Sequence, residues 1–123
     1  MKLFLFLGAV MMSLSVALGA FGAHGLKSVL SPEQLAVYQT GVHYQMIHGL
    51  GLILIAILMS KYANMGLLPA AGWAMLIGII LFSGSLYALT LTGVNSLGII
   101  TPFGGVAFLI GWILLAIAAF KLT

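Results

Sequence analysis

The sequence predicts an all-α integral membrane protein. The expected form is a four-helix bundle with short loops and an amphipathic N-terminal extension of the second helix. Three observations predict it. Of 123 residues, 63% are hydrophobic and only 4% charged, whereas soluble domains carry about 25% charge. Apolar runs near the roughly 20 residues that a bilayer crossing needs recur along the whole chain, leaving no soluble domain. Helix caps and prolines, rather than long linkers, separate those runs.

The first span is expected at about residues 3–22, within MKLFLFLGAVMMSLSVALGAFGA. A basic start, an apolar core and small residues near the end also fit a cleavable signal peptide. A retained helix is the expectation, because Ala9, Ser13 and Ala17, and again Ser15, Gly19 and Ala23, recur every four residues. Such small faces let another helix approach closely. The second span is expected at about 42–60, on a helix that begins earlier. Ser31-Pro32-Glu33-Gln34 offers a capping serine, a proline at the first helical position and a glutamine three residues after the cap, the signature of a capping box.

The third span is expected at about 70–91, with Pro69 near its start. The fourth is expected at about 102–120, with Thr101-Pro102 repeating the cap-and-proline device and Gly104, Gly105 and Gly111 thinning the helix. The links, at 23–31, 61–69 and 92–101, are short, so sequential helices should be antiparallel neighbours in one domain spanning residues 1–123.

Charge orients the bundle. Lys2, Lys61 and Lys121 fall on one side, and Lys27 falls on the other with Glu33. The excess of lysine marks the cytoplasmic side, so both termini are expected inside the cell. Scattered lysines without a basic cluster argue against a nucleic-acid partner. The chain has no cysteine, which excludes disulfides and thiolate chemistry. The run G-A-F-G-A-H-G follows no strand and so makes a poor nucleotide fingerprint.

The unusual chemistry lies in GVHYQMIHG, residues 41–49. At about 1.5 Å per residue, His48, Ser15 and Ser83 fall at one depth, in the outer half of the membrane. Tyr44, Gln45 and Tyr87 lie near that level, and His24, Ser85 and Thr101 lie around or above it. On the second helix, Gln34, Tyr38, Gly41, Gln45, His48 and Leu52 form one stripe, with Gln39 and His43 nearly opposite. Ser15, His24, Tyr44, Gln45, His48, Ser83, Ser85, Tyr87 and Thr101 thus form a candidate polar binding layer.

Two readings of that layer stand. Polar side chains at bundle interfaces act as hydrogen-bonding glue, whereas an ionisable residue within a membrane helix also marks functional sites. A neutral imidazole has one donor and one acceptor, so His48 is expected to be satisfied by Ser83 or Ser15. His43 and His48 lie five residues apart, unlike the i, i+4 pair that shares a metal, so neither a metal nor a cofactor is expected.

Three stretches together resemble one family: GAFGAHGL (19–26), AVYQTGVHYQMIHGLGL (36–52) and FSGSLYALTLTGVNSLGIITPFGGVAFLIGW (82–112). They are similar to the domain-of-unknown-function 423 family, which groups small bacterial inner-membrane proteins with eukaryotic transmembrane protein 256. The resemblance implies a four-helix inner-membrane protein without an established activity. It picks out Gly22, His24, Gly25, Tyr44, Gln45, His48, Ser83, Gly84, Ser85, Thr101, Pro102, Gly104 and Gly105. The family often has arginine where this chain has His43, which weakens a metal role there.

Function classes follow. Glu33 is the only carboxylate side chain and no nucleophile–base–acid set appears, so an enzyme is not expected. The leading expectation is an accessory, structural or lipid-binding membrane component. Its partners would be membrane lipids, another membrane protein or a second copy. The alternative is a site in the outer half of the bundle for a small molecule, quinone or lipid headgroup, or a small transporter.

Overall fold

A hydrocarbon environment offers backbone N–H and C=O groups no partner but each other, so long apolar segments fold as helices. The computed structural model describes residues 2–122 and has four such helices. They are α1 (Lys2–His24), α2 (Pro32–Lys61), α3 (Leu67–Thr92) and α4 (Thr101–Ala119), the last entered through a 3₁₀ turn at Asn95–Ile99.

The capping box forms as the sequence predicts. Gln34 N–H donates to Ser31 Oγ (3.2 Å) and Ser31 N–H donates to Gln34 Oε1 (3.0 Å). Started there, α2 runs for 30 residues, about 45 Å at 1.5 Å per residue. A hydrocarbon core is about 30 Å thick, so α2 is longer than a perpendicular crossing requires. Pro69 falls inside the first turn of α3, which starts at Leu67, where its missing N–H has no intrahelical partner to lose. Gly93, with φ at +75°, ends α3 in a left-handed turn that other residues adopt only with strain.

Thr101 does not cap α4. No side chain caps that helix, and Thr101 is its first residue. Its hydroxyl lies 2.6 Å from Ser85 Oγ on α3 instead. The pairing with another helix competes for the oxygen that a cap would use.

The inner pair is α2 and α3. Of their most apolar stretches 44% is buried, against 17% in α1 and α4. α1 lies along α2 and α4 along α3. On α1 the buried row is Phe4, Gly8, Ser15 and Gly22. Gly8 and Gly22 are there because Ile53 and Tyr38 fill the space that a side chain would occupy. Ser15 and Gly19 of the second predicted face therefore turn inward, whereas its third member, Ala23, is exposed, as are Ala9, Ser13 and Ala17 of the first. Only one of the two predicted small faces of α1 meets α2, because the fit to Tyr38, Val42 and Ile53 selects between them.

The main core lies toward the Lys61 end and is apolar: Leu52, Ile55, Ala56, Leu68, Ala71, Met75, Ile79 and Phe108, with Phe4 reaching in from α1. A smaller cluster of Leu26, Tyr38 and Val42 sits under the 25–31 link. Between α3 and α4 the backbones come very close. A methyl group on Gly104 would overlap the Phe82 backbone, and one on Gly78 would overlap the Phe108 ring. Phe108 thus seats in the notch left by Gly78.

Candidate functional site

Polar side chains on α2 and α3 make staples between helices, to each other and to backbone carbonyls of α1 and α2. Gln45 is the hub: its Nε2 donates to the Met11 carbonyl of α1 (2.9 Å), and its Oε1 accepts from the Tyr87 hydroxyl of α3 (2.6 Å). Tyr38 donates to the Leu18 carbonyl (2.6 Å) and Ser83 donates to the Gly41 carbonyl (2.7 Å). Ser15 donates to Met11 O (2.8 Å), the same carbonyl that Gln45 uses. These contacts require register, not mobility. Five members of the predicted stripe, Tyr38, Gly41, Gln45, His48 and Leu52, are buried, while Gln39 and His43 are exposed.

Ser83 owes part of its position to a π-helical turn at Ile79–Ser83. Such a turn inserts one extra residue and is common near functional positions. It changes the angular position of the residues that follow, which here include Ser85 and Tyr87.

His48 is elsewhere. Its ring does not meet Ser15 or Ser83. Nδ1 lies 2.7 Å from the Tyr44 carbonyl, and Nε2 accepts from Trp112 Nε1–H of α4 at 2.8 Å. A carbonyl only accepts and an indole N–H only donates, so the imidazole carries its proton on Nδ1. The expectation fails for a physical reason. Packing, not chain ends, sets the register of α3 against α2, and it brings Ser83 to Gly41. That is seven residues from His48, about 10 Å along the helix. Gly51 lies against Met75, and continuing the same antiparallel register puts His48 level with Gly78. The Phe108 ring fills that notch and stacks on the imidazole, centroids 3.5 Å apart and planes 11° apart.

A testable result follows. Ring-nitrogen NMR of histidine-labelled protein should show His48 as the Nδ1–H tautomer, and Trp112→Phe should shift its Nε2 signal. An Nε2–H tautomer in the unaltered protein would contradict the geometry.

Around His48 the side chains are aromatic. Tyr44 lies 4.5 Å from Phe82 and 6.0 Å from Phe108 between ring centroids, and Trp112 lies 5.6 Å from His48. These rings line a groove of about 620 Å³ between α2 and α4, flanked by Ile47, Pro102, Gly105, Val106 and Leu109. A second groove of about 390 Å³, where α1 meets α2, is lined by Ser15, Gly19, Gln39 and His43 among others.

The predicted layer therefore divides. Gln45, Ser83 and Tyr87 belong to the staples, Ser15 is buried beside them and bonds only Met11 of its own helix, and Ser85 and Thr101 pair with each other. Tyr44 and His48 line the aromatic groove. His24 is exposed at the end of α1, and among the described residues no hydrogen bond ties its ring to the rest. Among the described residues no three side chains of metal-binding type converge. Sequence reasoning missed Phe82, Phe108 and Trp112. The available signal was the pattern of Phe108 and Trp112 four apart beside Gly104 and Gly111, one helical face alternating rings with notches.

The family model described as "Protein of unknown function (DUF423)" matches residues 18–105. The chain belongs to the DUF423 family. It is 52% identical over 121 residues to the UPF0382 membrane protein YwdK of Bacillus subtilis, with 98% of each chain covered. It is 48% identical over 122 residues to a UPF0382 membrane protein of Staphylococcus haemolyticus, again over 98% of each chain. A third relative, from Staphylococcus saprophyticus, is 46% identical over 123 residues, covering 99% of this chain and all of its own. No solved structure matches the chain. This DUF423 chain is a small membrane protein of a family without an established biochemical activity, and none of these relatives carries an enzyme's name.

Proposed function

We propose that this is a non-catalytic, multi-pass component of the bacterial plasma membrane that holds a membrane lipid in the groove between α2 and α4. The observation that carries the reading is the groove itself. There α2 and α4 meet through the rings of Tyr44, His48, Phe108 and Trp112, leaving a slot of about 620 Å³. Within a bilayer, lipid is the solvent that fills such a slot. The polar staples support the division of labour. Every buried side-chain nitrogen and oxygen among the described residues has a partner, so the staples keep no free group for a ligand.

Gly105 gives the test. It lines the groove, and the nearest heavy atom to an added Cβ there is 4.0 Å away, so the helix backbone has room for a side chain at this position and Gly105→Phe directs its ring into the slot. Mass spectrometry of lipids extracted with protein in native membrane discs should show an enriched species that Gly105→Phe loses. Identical lipid profiles for both proteins would overturn the reading.

A second reading rests on α1. Ala9, Ser13 and Ala17 form a small-residue face that is exposed among the described residues, a surface suited to a neighbouring membrane protein or a second copy.

The lysine distribution supports an orientation with both termini and Lys61 cytoplasmic. Single cysteines at the exposed positions Asn64 and Asn95 report on it. An impermeant thiol reagent added to intact cells should label position 95 and spare position 64. The reverse pattern would invert the topology.

A further inference from the structure

The chemistry of the groove's lining narrows the ligand beyond lipid in general, and this narrowing rests on the groove reading. The lining residues carry no charge. Lys and Arg side chains are the usual counter-charges of a phosphate, and none is present there. The hydrogen-bonding capacity of the groove is also largely spent: Trp112 N–H is given to His48, and both His48 nitrogens are engaged. One donor is left. Tyr44 is 40% exposed, and its hydroxyl makes no hydrogen bond among the described residues. Around it stand flat faces, Phe82 at 4.5 Å and Phe108 at 6.0 Å between centroids, the spacing at which aromatic rings attract one another.

We propose that the groove takes a neutral lipid whose head is a flat, carbonyl-bearing ring, of the isoprenoid-quinone class. The ring lies against Tyr44 and Phe82, a carbonyl oxygen accepts the Tyr44 hydroxyl proton, and the tail follows Val106 and Leu109 toward Trp112. From Pro102 to Trp112 the slot extends about 15 Å at 1.5 Å per residue, room for a ring and the first units of a tail. A phospholipid would leave its headgroup charge unpaired beside these rings.

Trp112 reports occupancy. In a Trp73→Phe background it is the remaining tryptophan of the two, and quinones quench indole fluorescence. Protein in lipid nanodiscs is titrated with decylubiquinone, with a membrane-soluble tryptophan ester as the partitioning control. Saturable quenching beyond that control is expected, weakened roughly three- to twentyfold by Tyr44→Phe, the value of one hydrogen bond in a membrane. Saturable quenching indifferent to Tyr44→Phe would overturn the proposed recognition. In a parallel titration with brominated phosphatidylcholine, quenching by that lipid without saturable quenching by decylubiquinone would sink the quinone assignment and leave the lipid groove standing. Quenching by neither probe beyond the control would end both.

Discussion

Gly104→Leu is expected to separate α4 from α3 and leave little folded protein, while Gly105→Leu, one residue on, is tolerated. At Gly104 an added methyl overlaps the backbone of Phe82, which cannot rotate aside as a side chain can. At Gly105 the nearest atom is 4.0 Å away. Overpacking a close contact costs about 1–3 kcal/mol and sometimes more, and a backbone obstacle puts Gly104 at the upper end. Losing this contact also displaces Phe108, and with it the stacking on His48. Monodispersity on size-exclusion chromatography and the midpoint of denaturant unfolding in detergent read the difference. Equal behaviour of the two variants would mean that α3 and α4 do not approach at Gly104.

Gln45→Leu is expected to be the most damaging of the polar substitutions. It removes two hydrogen bonds at once, to Met11 on α1 and from Tyr87 on α3. In membranes each bond is worth about 0.6 kcal/mol on average and about 1.7 at most. The expected loss is therefore about 1–3 kcal/mol, several times that of Thr40→Val, whose hydroxyl bonds only Ala36 of its own helix. Steric-trapping or denaturant titrations of both variants decide it. A Gln45→Leu protein as stable as Thr40→Val would show that the hub joins nothing.

What the sequence reveals and what it hides follow from the range of the forces involved. The start of α2 was legible because Ser31, Pro32 and Gln34 act on one another within a single turn. The spans were legible because hydrocarbon demands a length. Thr101 carried the same local signature as Ser31, yet its hydroxyl was taken by Ser85, sixteen residues away, a competitor that no local pattern displays. Helical periodicity along α2 found the stripe that is buried. Depth counting failed for Ser83, since an error of seven residues in the α2–α3 register needs only an offset of about 10 Å between helix ends. Of the two small faces on α1, the choice of Ser15 and Gly19 over Ala9, Ser13 and Ala17 was made by the shape of α2. The groove was invisible for a further reason: it is the space left over by Gly105 and by rings on three helices, a property of no single segment.

The central claim is that polar staples hold the helices while the aromatic groove holds the ligand. The most direct measurement is the quantity of the enriched lipid bound per folded protein, compared between Gln45→Leu and Gly105→Phe. The expected result is a double separation: Gln45→Leu is less stable but its folded fraction keeps the lipid, and Gly105→Phe is stable but empty. Lipid lost from folded Gln45→Leu and retained by Gly105→Phe would contradict the account and place the ligand among the staples.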